Sequence, residues 1–324
     1  MSARALAAVV VATMLALHSI VTFAQTYPVK PIRLIVGYPP GAQSDATARA
    51  TATKLGQILG QPVIVENRSG ASSTIAAELV ANSPPDGYTM LLGGSSNLAQ
   101  APFIFSELRY DPVRDFVHVG RILKVSWMLA VRSTFPAATL AEFFDYARAH
   151  PGEVTFAMSA TGTQIAGTML MRAARVQVVD VPYKGTVPAV ADVIGGRVDF
   201  TLADFFAVAP HAQAGTLRFL ATTGSRRAPL APDVPTVAEQ GFPGFVGFSW
   251  SSLAVPRGTP PETVAVLRRA LRQALRDREF RANIERLGFE PVDEDPEEFG
   301  AVLKSEIDRF GQLIKDAGLS ITVQ

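Results

Sequence analysis

Short apolar runs alternate with longer amphipathic stretches through most of this chain. Residues 32–36 (IRLIV), 63–66 (VIVE) and 88–92 (YTMLL) read as strands, being short, apolar and bounded by turn residues. Between and after them, residues 46–59 and 75–81 carry helical spacing. Strands that alternate with helices pair in parallel, because the helix carries the chain back to the same end of the sheet. The pattern therefore predicts an α/β fold with a doubly wound sheet.

The second half repeats the alternation. Apolar runs at 119–123 and 127–131 precede a helix that opens at Thr139, with Glu142 three residues on as a capping box and Gly152 beyond its end. Strands at 154–158, 176–181, 198–203 and 217–223 then alternate with helices at 165–174, 188–194 and 207–214. Residues 226–243 contain Pro229, Pro232, Pro235 and Pro243 and read as a long ordered connection. After a strand at 247–255, Thr259 and Glu262 predict another capping box, for a helix running to about residue 277. A helix at 278–287 and a last one from Asp295-Pro296 complete two α/β units, the second inserted in the first.

The loops are the informative part. Residues 38–45 (YPPGAQSD) join a strand to a helix, an arrangement that points unpaired backbone N–H groups at an anion. Pro39 and Pro40 stiffen the entry, Gly41 permits a sharp turn, and Ser44 or Asp45 stands where a helix cap belongs. A phosphate-cradling loop would carry Lys followed by Ser or Thr here, whereas this one has no cation and suits a smaller anion such as a carboxylate. Residues 159–164 (SATGTQ) repeat the arrangement in the second unit. Residues 93–97 (GGSSN) follow the third strand at the sheet end where α/β folds place ligands.

Composition narrows the classes. Arg4, the apolar run 5–17 and Thr22-Phe23-Ala24 form the three parts of an export signal, cleaved before Gln25. That run is too short to span a bilayer, and no later stretch is longer. Without residues 1–24 the chain carries 29 Lys+Arg against 29 Asp+Glu, a balance that argues against nucleic acid or anionic membrane as partner. The chain has no cysteine, so disulfides and thiolate metal sites are excluded. An enzyme reading finds little support. GGSSN lacks the final Gly of G-x-S-x-G, His118, His150 and His211 lie in no motif, and no HExxH is present. Trp127 and Trp250 read as core, with cleft lining as the alternative, and Arg268, Arg269, Arg272 and Arg276 read as a solvated helix face, with a docking surface as the alternative.

Several longer segments are specific in combination: YPVKPIRLIVGYPPGAQSD (27–45), LGQPVIVENRSGASS (59–73), PPDGYTMLLG (84–93) and YDPVRDF (110–116). VPYKGTVPAVADVIGGRVD (181–199) and PDVPTVAEQGFPGF (232–245) join them. Through these the chain resembles the extracytoplasmic solute receptors of tripartite tricarboxylate transporters, the Bordetella-uptake-gene type. The resemblance implies a two-lobed periplasmic binding fold (type II, Venus-flytrap) that closes on a small carboxylate. It divides the chain into a signal peptide (1–24), a discontinuous first lobe (25–125 and 251–324) and a second lobe (126–250).

It also implies binding by Gly41, Ala42, Gln43, Ser44 and Asp45, with Ser72, Ser73, Ser95 and Asn97 nearby. The second lobe would add Ser159, Thr161, Gly162, Thr163, Tyr183, Lys184 and Asp204. On residue chemistry alone Asp204 also reads as a helix cap and Lys184 as a solvated loop lysine. The implied protein is a periplasmic monomer without cofactor or metal that passes a di-, tri- or aromatic carboxylate to the membrane subunits of its transporter. Presentation of the ligand to a sensor kinase and a serine hydrolase are the rival readings. Two departures from the family pattern bear on the pocket: Ala42 and Ser72-Ser73 stand where relatives usually carry Gly.

Overall fold

The computed structural model describes residues 27–316, so the export signal and its cleavage site lie outside the described residues. The first unit contains β1 (Ile32–Val36), α1 (Gln43–Leu59), β2 (Val63–Asn67), α2 (Thr74–Ala81) and β3 (Thr89–Gly94). A π-helical turn (Ser95–Gln100) and the short α3 (Ala101–Ile104) lead to β4 (Phe116–Arg132). The second unit runs α4 (Leu140–Ala149), β5 (Thr155–Met158), α5 (Thr161–Ala173), β6 (Val179–Pro182), α6 (Thr186–Ile194), β7 (Phe200–Asp204), α7 (Phe205–Gln213) and β8 (Leu217–Thr222). The chain then returns through β9 (Phe248–Pro256), α8 (Pro261–Arg276), α9 (Arg278–Arg286), β10 (Glu290–Pro291) and α10 (Phe299–Asp316).

Strand order is β2-β1-β3-β9-β4-β7-β5-β6, with β8 and β10 also on β4. β1 is parallel to β2 and β3, and β5 to β6 and β7, as the alternation predicts. The pairings of β4 and β9 are antiparallel, so the sheet is mixed. β4 links the two halves. Phe116 to Ser126 pair with β9, and Trp127 to Arg132 pair with β7 and β8. The two apolar runs expected here are thus one strand. Lys124 and Ser126 interrupt the apolar pattern only because that face of the strand is less buried. Thr223 pins the crossing: its hydroxyl accepts from the Trp127 N–H at 2.9 Å and donates to the Gly247 carbonyl at 2.7 Å.

Each half buries a core on both faces of its sheet. In β1, Leu34 faces the layer of α1, α8 and α9, and Ile35 faces that of α2 and α10. The second half packs Phe143, Phe156 and Phe200 on one side, with the rings of Phe156 and Phe200 stacked at 4.7 Å. Met128, Val190, Val193 and Val208 fill the other. Ile165 of α5 is buried in the cluster of Trp250 and Ile314, so an apolar contact joins the two lobes.

Several helix starts differ from the spacing. α1 begins at Gln43 and α5 at Thr161, because loop residues with weak helix propensity form their first turns. The capping box at Thr259 does not form: Pro260 is the N-cap, and the Thr259 hydroxyl donates to the Pro256 carbonyl. The last helix starts at Phe299 instead of Asp295. Thr139 does cap α4, but Glu142 reaches back to the N–H of Ala138.

Candidate functional site

α1 behind Ala42 and α5 behind Ala160 open without a side-chain cap, as do α2 behind Ser73, α6 behind Gly185 and α8 behind Pro260. Alanine offers no acceptor, so nothing on the N-cap residue occupies the donors of the first turn. The first helical bonds are Ala46 N–H to Ala42 and Gln164 N–H to Ala160, both at 3.0 Å. The N–H groups of Gln43, Ser44 and Asp45, and of Thr161, Gly162 and Thr163, therefore have no helical acceptor. By contrast, the side chains of Thr139, Asp204 and Asp277 close the starts of α4, α7 and α9.

The two open turns differ in charge. Asp45, 4% exposed, lies within the first turn of α1. Its carboxylate accepts from the Gly41 N–H at 2.9 Å, Arg49 Nε at 2.9 Å and Asn67 Nδ2 at 3.0 Å. Burial works against its ionisation, but these hydrogen bonds prevail and hold the carboxyl below its ordinary value. Gly41 takes the turn at φ +82, as its place in the loop predicts. The first turn of α5 has no acid. The Thr163 hydroxyl accepts from the Ala160 N–H at 3.2 Å and donates to the Ala160 carbonyl at 2.8 Å. With no side-chain acceptor on Ala160 to answer, the Thr163 N–H stays free.

The turn after β3 connects these two places. Tyr38 and Ser96 share a hydroxyl hydrogen bond of 2.7 Å, tying the loop before α1 to the turn Ser95–Gln100. At the far end of that turn, Gln100 stands over α5. A Cβ on Gly162 would lie 3.0 Å from the Trp127 ring and 3.4 Å from Gln100 Nε2. Glycine there lets an indole and an amide close over the open turn. Outside this region, a cavity of ≈ 350 Å³ lies between α1 and α9. Two of its cations are already paired, Arg49 with Asp45 and Lys54 with Asp277 at 2.6 Å, which leaves it little to offer a ligand.

Comparison with known proteins decides the class. Residues 47–319 match the family described as tripartite tricarboxylate transporter family receptor. Protein BugT of Bordetella pertussis is 35% identical over 301 residues, 92% of either chain. Among solved structures, Rpa4515 of R. palustris with adipate superposes with a TM-score of 0.84 and 32% identity, over 92% of this chain and 100% of that one. MatC of Rhodopseudomonas palustris with bound malate gives 0.77 and 31%, over 89% and 100%.

The chain belongs to the tripartite tricarboxylate transporter receptor family.

This receptor is a two-lobed solute-binding protein of the periplasmic type and not an enzyme. Its serines agree. Ser95, 1% exposed, receives the Trp250 N–H at 3.1 Å and the Ser249 hydroxyl at 3.2 Å, with no base beside it. His118 is buried against the Pro112 carbonyl, and His150 stacks on Tyr146. No group of three metal-binding side chains occurs among the described residues.

The remaining residues implied by the resemblance divide into three kinds. Asn97 and Ser73 brace the loops: Asn97 accepts from the Gly94 N–H at 2.8 Å and donates to Ser73 Oγ at 3.1 Å. Ser72 and Ser73 adopt left-handed backbone at φ 51 and 73, a conformation that favours glycine. Tyr183 gives its hydroxyl to Asp192 at 2.8 Å, and Asp204 caps α7. Burial pushes the Asp204 carboxyl upward despite the Ala207 N–H it accepts. Ser159 accepts a long hydrogen bond from Thr186, and Lys184 is exposed. Trp127, expected in the core or lining the cleft, stands beside Gly162, while Gln100 escaped the sequence reading as one amide in an apolar stretch.

Proposed function

We propose that the receptor captures a small carboxylate between its lobes and delivers it to the membrane subunits of a tripartite tricarboxylate transporter. The observation that carries this is the first turn of α5, with three unpaired N–H groups, no acid, and a cover of Trp127 and Gln100. Such a turn holds an anion by charge-assisted hydrogen bonds and needs no arginine. The loop before α1 then faces the rest of the ligand through Gln43, Ser44 and the neighbouring serines. Relatives that carry adipate and malate support the carboxylate class.

The strand pairing supports lobes that meet at Ser126/Trp127 and Gly247/Phe248, close to the division expected from sequence. In this reading the protein is exported, cut before Gln25, and works as a monomer whose lobes hinge on these two crossings. A thermal-shift panel of adipate and malate against their dimethyl esters tests it. At a ligand concentration of ~100 Kd the linkage is about 2.7 kcal/mol, enough for a shift of at least about 2 °C. The acids should shift the melting temperature and the esters should not. Equal shifts from acid and ester would remove the carboxylate clamp.

A further inference from the structure

Gln100 is 2% exposed, and its side-chain amide makes no hydrogen bond among the described residues. The little exposure that remains lies on the amide atoms, so solvent or a ligand can reach them. Its position gives it a use. It belongs to the first lobe, at the end of the turn that Ser96 ties to Tyr38. Its Nε2 nevertheless comes within 3.4 Å of where a Cβ on Gly162 would stand, beside the open first turn of α5 in the second lobe. The free donors of Thr161, Gly162 and Thr163 and the free amide of Gln100 thus converge from opposite lobes.

We propose that Gln100 donates to the same carboxylate that the first turn of α5 binds, so that one anion is held by both lobes at once. This rests on the carboxylate reading above and goes beyond it by naming the side chain that makes closure depend on the ligand. Opening the lobes separates the amide from α5 and leaves the anion with second-lobe donors alone. Closing them adds a donor that no other group occupies, and turning the amide toward the anion breaks no existing hydrogen bond. Trp127 excludes water from one side of the same turn and so strengthens each bond to the charge. Gln100 is therefore a ligand-contacting residue that also reports on closure.

The test is calorimetry of adipate and malate with the wild type, Gln100→Met and Gln100→Glu at pH 5 and pH 8. Gln100→Met keeps the length and apolar stem and removes the donor, so affinity should fall by about tenfold or more. Its melting temperature without ligand should stay near that of the wild type. Gln100→Glu places a second anion against the ligand. Relative to wild type it should bind far more weakly at pH 8 and recover at pH 5, where a protonated Glu can donate. A group with only a packing role would show no such pH-dependent recovery. Wild-type affinity in Gln100→Met, or a Gln100→Glu defect equal at both pH values, would overturn the proposal while leaving the carboxylate reading intact. Binding of neither acid by the wild type would instead remove the reading itself, and this inference with it.

Discussion

The first turns of α1 and α5 look alike in outline and differ in electrostatics. Both follow a parallel strand, both have alanine at the N-cap, and both leave three N–H groups unpaired. α1 carries its own anion, since Asp45 lies in its first turn and sews the loop to Gly41, Asn67 and Arg49. α5 uses a neutral hydroxyl for the same internal bracing. A ligand carboxylate near α1 meets a fixed negative charge, and one near α5 meets the positive end of a helix dipole with nothing to offset it. α1 has spent its charge on holding its own loop, and the first turn of α5 carries no such acid. The two loops are therefore not two equal halves of a clamp.

The largest expected effect is on the spent side. Asp45→Ala removes the acceptor of three hydrogen bonds from a buried position and should cost about 3 kcal/mol in denaturant unfolding. The acid limb carries the same signature. Asp45 titrates lower in the folded chain than in the unfolded one, so its contribution is present above about pH 4 and is lost as pH falls through the lowered value. Asp45→Ala should flatten that limb, and an unchanged one would mean that the carboxylate does not hold the loop.

Next comes the open side. Thr163→Pro deletes one free N–H within the first turn, where proline is sterically tolerated, and should weaken acid binding by about 1.5–3 kcal/mol. Thr163→Ala keeps the N–H and loses only the hydroxyl bracing of Ala160, so it should cost about 1 kcal/mol of stability and less affinity. Calorimetry and thermal melts separate the two. An alanine variant that binds more weakly than the proline variant would shift recognition from backbone to hydroxyl.

Two smaller effects sharpen the contrast. Ser72→Gly relieves a left-handed L-residue beside the α1 loop, partly offset by added freedom of the unfolded chain. The net stabilisation should be about 0.5–1 kcal/mol. A destabilised variant would show that the exposed hydroxyl makes up the difference. Asp45→Asn keeps an acceptor for Gly41 and removes the fixed charge. Acid binding should tighten by a factor of about two to five, and an unchanged Kd would place the ligand beyond reach of α1.

The strand–loop–helix units, and with them the α/β class, were legible because apolar runs and glycine-containing loops alternate so regularly. The start of α5 was not, since Thr161, Gly162 and Thr163 have weak helix propensity and read as loop residues. β4 read as two strands because Lys124 and Ser126 hide its continuity. The difference between the two loops was partly visible, as Asp45 stands in one and no acid in the other. Its meaning needed the hydrogen bonds. Gln100 could not be found from sequence, because its significance lies in a partner it lacks and in a lobe it does not belong to. In both loops an alanine at the N-cap stands three residues before Asp45 or Thr163, a spacing visible in the sequence.

A crystal structure with bound adipate tests the central claim most directly. The account predicts a carboxylate whose oxygens lie about 2.7–3.2 Å from the N–H groups of at least two of Thr161, Gly162 and Thr163. A carboxylate seated instead on the first turn of α1, with the α5 donors left to water, would contradict it.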